Sequence, residues 1–215
     1  MKTDYKFELL VAAYAHDLKN QLQALTEQQD SLVADLPEEF QLKLAPMINH
    51  TNKIKEDTLR LVSLYRLENT QQINRDDAWP HDTANQAIES CLLQFPNLII
   101  NNHIESDSQG FYNDQLAQLA LVTLITNSAQ AEANQIDLRC EEHHDDSLTF
   151  IIQDNGPGFN QAILDGSIST TKAAGTGLGL HFVEMICRAH QSSGKHGKLS
   201  LSNNSSGAEA RLFLP

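Results

Sequence analysis

Four short motifs contain the residue types that could carry chemistry. Two of them are rich in glycine, at 154–159 (DNGPGF) and 175–180 (GTGLGL). The third is Asn127 inside an apolar helical run, and the fourth is His16 followed by Asp17. Each motif alone has an ordinary structural explanation: a tight turn, a loop before a helix, a satisfied core amide and a surface histidine. Their combination and order therefore decide the interpretation.

The carboxylate of Asp154 is predicted to lie at the end of a strand on the side that faces the core. The apolar residues that share its parity are Leu148, Phe150 and Ile152. A buried carboxylate needs hydrogen-bond donors. The second glycine-rich run opens a helical stretch, and free N–H groups at a helix start can bind phosphate oxygens.

Two polar side chains lie in helical patterns where they could contact a substrate. The amide oxygen of Asn127 is a suitable hard ligand for Mg²⁺. His16 is one position away from an apolar helix seam, so solvent and substrate can reach it. Asn20 lies one helical turn later on the same face.

The first 70 residues show two apolar registers with 4,3 spacing, which predict two amphipathic helices. The first register is Val11, Ala15, Leu18, Leu22, Leu25 and Leu32, and the second is Met47, Thr51, Ile54, Thr58, Leu61 and Tyr65. Residues 34–40 interrupt the pattern. We expect an antiparallel helical hairpin that pairs with a second copy into a four-helix bundle, because two helices alone bury little surface.

After a connector at 73–82 the pattern changes to mixed helices and strands. Helices are expected at 82–95, 113–133 and 177–190, and strands at 98–105, 135–142, 147–154, 198–203 and 208–214. This order predicts an α+β fold, an α/β sandwich with helices on one face of a mixed sheet. The expected domains are 1–72, the helical hairpin, and 73–215, the sandwich.

Composition narrows the classes of partner. The net charge of −13 argues against nucleic acid, and a polyphosphate ligand would need a divalent cation and backbone N–H groups. Cys91, Cys140 and Cys187 lie in apolar stretches, so we expect buried free thiols in a reducing compartment. The sequence has no signal peptide and no apolar run near 18 residues, so we expect a cytoplasmic protein without a membrane span.

Taken together, the motifs resemble those of the sensor histidine kinases of two-component systems, over nearly the whole chain. HDLKN (16–20) resembles the phosphoacceptor box and LYRLEN (64–69) the end of the second dimerisation helix. LVTLITNSA (121–129) resembles the N box, DNGPGF the G1 box, and STTKAAGTGLGL (169–180) the lid and G2 box. The agreement of all five in order is far more specific than any one of them.

The resemblance implies a role for each matching residue. Asp154 would bind the adenine amino group of ATP, Gly156 and Gly158 would let the backbone approach the base, and Asn127 would coordinate Mg²⁺. The residues expected to cradle the phosphates are Thr171, Lys172, Gly175, Thr176, Gly177, Leu178 and Gly179. His16 would attack the γ-phosphorus while Asp17 orients or deprotonates its ring.

The sequence also departs from that family's pattern. Thr123 stands where the family often has a second Asn, Gln130 where it often has a basic residue, and Ser167-Ile168-Ser169 where an aromatic motif usually anchors the lid. Gln21 replaces a Pro that often follows Asn20, so a straighter first helix is expected. With 15 residues before His16, any signal is expected to come from a separate sensor protein.

The first interpretation is a stand-alone cytoplasmic histidine kinase that forms a homodimer and passes its phosphoryl group to the Asp of a response-regulator receiver domain. In it Asn20 would serve receiver dephosphorylation. The alternative is a non-enzymatic phosphorelay protein or adaptor with a vestigial ATPase domain. A third reading is an ATPase switch of the wider gyrase and Hsp90-like superfamily, against which HDLKN argues.

Overall fold

A computed structural model describes residues 73–165 and 178–215 continuously, with only the backbone described at Leu178. Nearer the N-terminus it describes residues 18, 20–29, 31–33, 36–37, 39–41, 43–48, 50–51, 54 and 58. The chain divides into two compact units, Met1–Asn69 and Thr70–Pro215. In the described part of the chain, no helix has the length and apolar character needed to cross a membrane.

The N-terminal unit contains two helical segments. Residues 20–29 and 31–33 are helical, the chain bends at Leu36, and helix resumes by residue 39. Pro37 cannot continue the first helix, and its carbonyl accepts hydrogen bonds from the N–H groups of Phe40 and Gln41 at the start of the second. The two segments contact each other: Gln29 Nε2 donates a hydrogen bond to Thr51 Oγ1 at 3.1 Å.

Several predicted seam residues of this unit remain exposed in the single chain. The exposed fractions are 44% for Leu25, 67% for Leu32, 53% for Met47 and 46% for Ile54. Thr26, beside Leu25, is buried instead, and its hydroxyl donates to the carbonyl of Leu22. The contact between the two segments therefore leaves much of the apolar stripe uncovered.

The second unit contains nine strands and four helices. The strands are β1 (Asp76–Ala78), β2 (Ile99–Asn102), β3 (Gly110–Tyr112), β4 (Gln135–Glu142), β5 (Leu148–Asp154), β6 (Gln191–Ser192), β7 (Lys195–His196), β8 (Lys198–Asn203) and β9 (Ala208–Leu214). The helices are α1 (Pro80–Leu92), α2 (Asp114–Gln130), α3 (Gln161–Leu164) and α4 (Leu178–Ala189). These counts refer to the described residues.

The main sheet has five strands in the order β2-β4-β5-β9-β8. β2 runs parallel to β4, whereas the other neighbours are antiparallel, so the predicted mixed sheet is confirmed. Helix α2 packs against both α1 and α4, and all three helices contact the sheet. The core between these layers includes Ile125 of α2, Phe150 of β5, Phe182 of α4 and Leu212 of β9.

The connector predicted at 73–82 is more ordered than expected. Residues 76–78 form β1, which pairs with β3, and α1 already begins at Pro80, whose fixed φ suits the first turn of a helix. The predicted strand at 98–105 ends early, at Asn102. Its side-chain oxygen accepts a hydrogen bond from the Ile104 N–H and bends the chain there.

The three cysteines are free thiols, of which Cys91 and Cys187 are buried and Cys140 is partly buried. Burial raises the pKa of Cys140 and of Cys187 to about 12. Since the thiolate is the reactive form, both thiols are chemically quiet at neutral pH.

His190, to which the sequence assigned no role, connects the end of α4 with the start of α2. Its ring is fully buried, its Nδ1–H donates to the carbonyl of Ile186 at 2.8 Å, and its Nε2 accepts from the N–H of Asn113 at 3.1 Å. Asn113 is the N-cap of α2, where its side chain accepts from the Leu116 N–H. Burial lowers the pKa of His190 to about 4.

We predict that His190 makes the fold sensitive to acid. The pKa of His190 in the folded chain lies below its ordinary value, so the fold favours the neutral ring. The contribution of the neutral ring to the free energy of unfolding is fully present above about pH 6.5 and is lost as the pH falls towards 4. That contribution is roughly 3 kcal/mol. Urea unfolding measured across this pH range should show a smaller loss of stability in His190→Gln than in the parent.

The matched control is His144→Gln, at an exposed histidine in the turn between β4 and β5. It should retain the parent's dependence on pH. An equal dependence in all three proteins would show that His190 does not titrate as its burial requires.

Candidate functional site

Asp154, the last residue of β5, is 7% exposed and receives hydrogen bonds from three separate parts of the chain. Its Oδ1 accepts from the N–H of Gly156 at 2.9 Å and from the N–H of Ala208 at 3.1 Å. Its Oδ2 accepts from the Ser128 hydroxyl at 2.5 Å. The buried position and the need for donors were both predicted from strand parity, and both are confirmed.

The turn after Asp154 is fastened to the start of β4 by Asn155. The side-chain oxygen of Asn155 accepts from the N–H groups of Asn134 and Gln135, and its amide group donates to Asn134 Oδ1 at 2.7 Å. A Cβ at Gly156 would lie 3.2 Å from Asp154 Oδ1. Glycine at this position thus lets the turn fold back tightly on the carboxylate.

Asn127 lies on α2, one residue before Ser128, and faces the start of α4. A Cβ at Gly179 would lie 3.3 Å from Asn127 Nδ2 and 3.4 Å from Thr123 Cγ2. The absence of a side chain at Gly179 allows the backbone of α4 to approach α2 closely at this point. Two residues that the sequence singled out separately, Asn127 and Gly179, therefore lie together.

A pocket joins these groups and encloses about 440 Å³ of space between the protein atoms, part of it open to solvent. The described residues that line it are Leu124, Asn127, Ser128, Ala131, Ile152, Asp154, Pro157, Gly158, Phe159, Leu180, Ala208 and Ala210. Within this set Asp154 is the single charged side chain. Apolar walls with a few fixed polar groups are typical of small-molecule sites.

Some predicted site residues lie outside the described part of the chain. These are His16, Asp17, Thr171, Lys172, Gly175, Thr176 and Gly177. Leu178 begins α4 with its backbone described, and Asn20 is exposed on a helical segment of the N-terminal unit. The structure therefore brings together Asp154, Gly156, Gly158, Asn127 and Gly179.

Several residues that hold the site were not predicted from the sequence. Ser128 and Asn155 adjoin predicted residues and were visible as polar neighbours in the two motifs. The other three lie on or near the β8–β9 hairpin: Asn203, Gly207 and Ala208. A Cβ at Gly207 would lie 2.3 Å from the carbonyl oxygen of Asp154, so this contact also requires glycine.

The residues present fit a magnesium ion bound together with a phosphate ligand. An amide oxygen such as that of Asn127 is a hard ligand, and Mg²⁺ commonly takes one or two protein ligands with water and phosphate oxygens completing its shell. The described pocket wall carries one negative charge and no positive one. A bound cation would neutralise the negative charge of the phosphate groups, for which the described wall provides no basic side chain.

Comparison with known proteins agrees with this geometry. Residues 113–215 match the family described as histidine kinase-, DNA gyrase B-, and HSP90-like ATPase. The chain is 24% identical over 192 residues to the tetrathionate sensor histidine kinase TtrS of Salmonella typhimurium, covering 83% of this chain and 32% of TtrS. The chain thus spans about a third of the length of the curated relatives it matches.

Solved structures share the fold at lower identity. The histidine kinase AdeS of Acinetobacter baumannii superposes with a TM-score of 0.60 at 18% identity, covering 93% of this chain and 96% of that one. The ATP binding domain of PrrB from Mycobacterium tuberculosis gives 0.55 at 20% identity, covering 66% and 98%. Residues 113–215 of this chain thus match the model of the histidine kinase-, DNA gyrase B-, and HSP90-like ATPases, and the solved structures of histidine kinases share the fold.

Proposed function

We propose that this chain is a protein-histidine kinase, which transfers the γ-phosphoryl group of Mg-ATP to His16 and then to an Asp of a response-regulator receiver domain. The observation that carries the proposal is the buried Asp154 carboxylate in a pocket that also contains Asn127 beside Gly179. We propose that this activity takes place in the cytoplasm.

The hydrogen bonds that Asp154 already accepts support adenine as the base. A carboxylate has about four acceptor positions, and the Gly156 N–H, the Ala208 N–H and the Ser128 hydroxyl occupy three of them. The remaining capacity suits a donor such as the amino group of adenine. A base with a carbonyl oxygen at that place would meet a second acceptor and be rejected.

The phosphate end of the nucleotide would lie toward Asn127 and the first turn of α4. The N–H groups that begin a helix bind anions, and Gly179 brings the first turn of α4 against Asn127. By resemblance, Thr171, Lys172 and the residues 175–177 would complete the cradle. Asn127 would hold Mg²⁺, which neutralises the negative charge that develops during phosphoryl transfer.

The chemical step is proposed from the resemblance of HDLKN. The neutral imidazole of His16 attacks the γ-phosphorus, a new P–N bond forms, and the bond to the β,γ-bridging oxygen breaks to release ADP. Asp17 orients the ring or takes its proton. In a second step the receiver carboxylate takes the phosphoryl group, and Asn20 helps to align the water that later hydrolyses it.

One observation favours a second candidate function, a phosphorelay protein or adaptor with an inactive ATPase domain. Thr123 stands where the family often has a second Asn, and its hydroxyl donates to the Leu119 carbonyl of its own helix at 2.7 Å. The hydroxyl is thus engaged within α2. In this candidate His16 would receive its phosphoryl group from a phosphorylated receiver.

We further propose that the N-terminal unit pairs with a second copy. Leu25, Leu32, Met47 and Ile54 occupy the predicted seam and are 44% to 67% exposed in the single chain. Burying such a stripe against a second hairpin would create the four-helix bundle that the 4,3 spacing predicts.

The first prediction for this function concerns Asp154→Asn. The new side chain keeps an oxygen for the N–H groups of Gly156 and Ala208, and the Ser128 hydroxyl can accept from its amide, so the fold should survive. The group that accepts from adenine becomes a donor, which should weaken binding of Mg-ATP by roughly 1–3 kcal/mol in calorimetry.

The matched control is Asp137→Asn. Asp137 accepts from Asn101 and contacts His103 away from the pocket, so this change also removes a hydrogen-bonded carboxylate of the same unit. It should leave ATP affinity unchanged. Equal ATP affinity of Asp154→Asn and the parent would remove Asp154 from the binding site.

The second prediction concerns His16. Incubation of the chain with γ-labelled ATP and Mg²⁺ should give an acid-labile, alkali-stable label, as expected for phosphohistidine, and His16→Gln should abolish it. If the parent binds ATP but remains unlabelled, while a phosphorylated receiver labels His16, the relay function is correct and the kinase function is wrong.

Asn20→Ala is the matched control, four positions after His16 in the sequence. Loss of this amide removes a group that aligns water but nothing at the γ-phosphate, so labelling of His16 should stay nearly intact. Loss of phosphate from a phosphorylated cognate receiver should become slower. Equal receiver dephosphorylation, where the parent is clearly active, would contradict the role of Asn20.

The third prediction is that Leu25→Asp combined with Ile54→Asp converts a dimer to a monomer. Both side chains are about half exposed in the single chain, so their carboxylates can reach water in a monomer but not in a bundle core. Light scattering should report the change in mass, with helix content by circular dichroism retained. Gln28→Asp, an exposed position outside the seam, should remain dimeric; a monomeric parent would refute the bundle.

A further inference from the structure

Asn203, the last residue of β8, forms hydrogen bonds with the backbone of Phe159, which lies 44 positions earlier in the chain. Its side-chain oxygen accepts from the Phe159 N–H at 2.7 Å, and its amide group donates to the Phe159 carbonyl at 2.8 Å. Both backbone hydrogen-bonding groups of Phe159 are therefore engaged by one side chain. A two-point contact of this kind fixes the position and the orientation of the Phe159 backbone.

The same side chain lies flat against Gly158. A Cβ at Gly158 would lie 2.8 Å from Asn203 Oδ1, 2.9 Å from its Cγ and 3.0 Å from its Nδ2. Gly158 also has a φ of +83°, which favours glycine. Position 158 therefore requires glycine for the docking of Asn203 as well as for the turn.

The end of the β8–β9 hairpin contacts both ends of the turn that runs from Asp154 to Phe159. Asn203 pairs in register with Ala208, whose N–H donates to Asp154 Oδ1, and Gly207 contacts the carbonyl oxygen of Asp154. Asp154 and Phe159 both line the pocket. One hairpin end thus sets the separation between the carboxylate and the opposite wall.

We propose that Asn203 is a positioning residue for the nucleotide pocket, which keeps the Gly158–Phe159 wall at its binding distance from Asp154. The inference rests on the proposed function, in which this pocket binds ATP. Asn203 is exposed and acts through Phe159. Without it the wall would have to be ordered by each ligand, and ordering a segment on binding costs affinity.

The test compares the parent chain with Asn203→Ala by two measurements: calorimetry with Mg-ADP as the probe, and hydrogen exchange at the Phe159 amide. Loss of two neutral hydrogen bonds should raise the Kd for Mg-ADP roughly 3- to 30-fold. Exchange at Phe159 should become faster while amides of the central strand β5 keep their protection. Ser202→Ala, an exposed position on the same strand, should match the parent in both measurements.

A double variant strengthens the test. Gly158→Ala places a methyl group against the Asn203 amide and also strains a backbone whose φ is +83°, so it should weaken Mg-ADP binding by two routes, of which Asn203→Ala removes the first. Combining it with Asn203→Ala should then weaken binding by less than the product of the two single effects. A product of independent effects would mean that Asn203 does not act through this wall.

The possible failures are distinguishable. If the parent does not bind Mg-ADP, the proposed function is wrong and this inference falls with it. If the parent binds and Asn203→Ala binds equally, the inference alone is wrong. If exchange in Asn203→Ala rises equally throughout β5, Asn203 serves general stability and the positioning role is also refuted.

Discussion

The architecture of the C-terminal unit depends on one interaction, the burial of the Asp154 carboxylate at the end of the central strand β5. An unpaired buried carboxylate would be costly, and here it is stabilised by donors from α2, from the following turn and from the start of β9. These three parts of the chain meet because each supplies a hydrogen bond to the same group. The same three parts, together with Ile152 of β5 and Leu180 of α4, line the pocket.

This constraint explains the glycines around the site. Gly207 lies so close to the Asp154 carbonyl that a Cβ would clash, a Cβ at Gly156 would lie tightly against the Asp154 carboxylate, and Gly179 brings α4 against Asn127 of α2. Glycine loses more conformational freedom on folding than any other residue, which costs stability. Its presence at these contacts therefore reflects the close approach of the backbone. Among the described residues the pocket wall carries one carboxylate and no cation, which suits a ligand that brings its own divalent ion.

Much of the fold could be predicted because apolar residues alternate clearly in the long strands. The bounds of β4, β8 and β9 were predicted without error, whereas β1, β3, β6 and β7 have two or three residues and are too short for a periodic pattern. The direction of Asp154 followed from parity, and Asn127 and Gly179 from motif order. Asn203 and His190 could not be predicted, since their partners lie 44 and 77 residues away and depend on tertiary packing.

The central claim is that the free acceptor of Asp154 selects a base with an amino group. Calorimetric titration of the parent with Mg-ADP and with Mg-IDP, which differ by an amino group and a carbonyl oxygen at position 6, tests it most directly. The account predicts that Mg-ADP binds at least about tenfold more tightly, because the carbonyl oxygen would face a buried carboxylate. Equal affinity for the two nucleotides would contradict it.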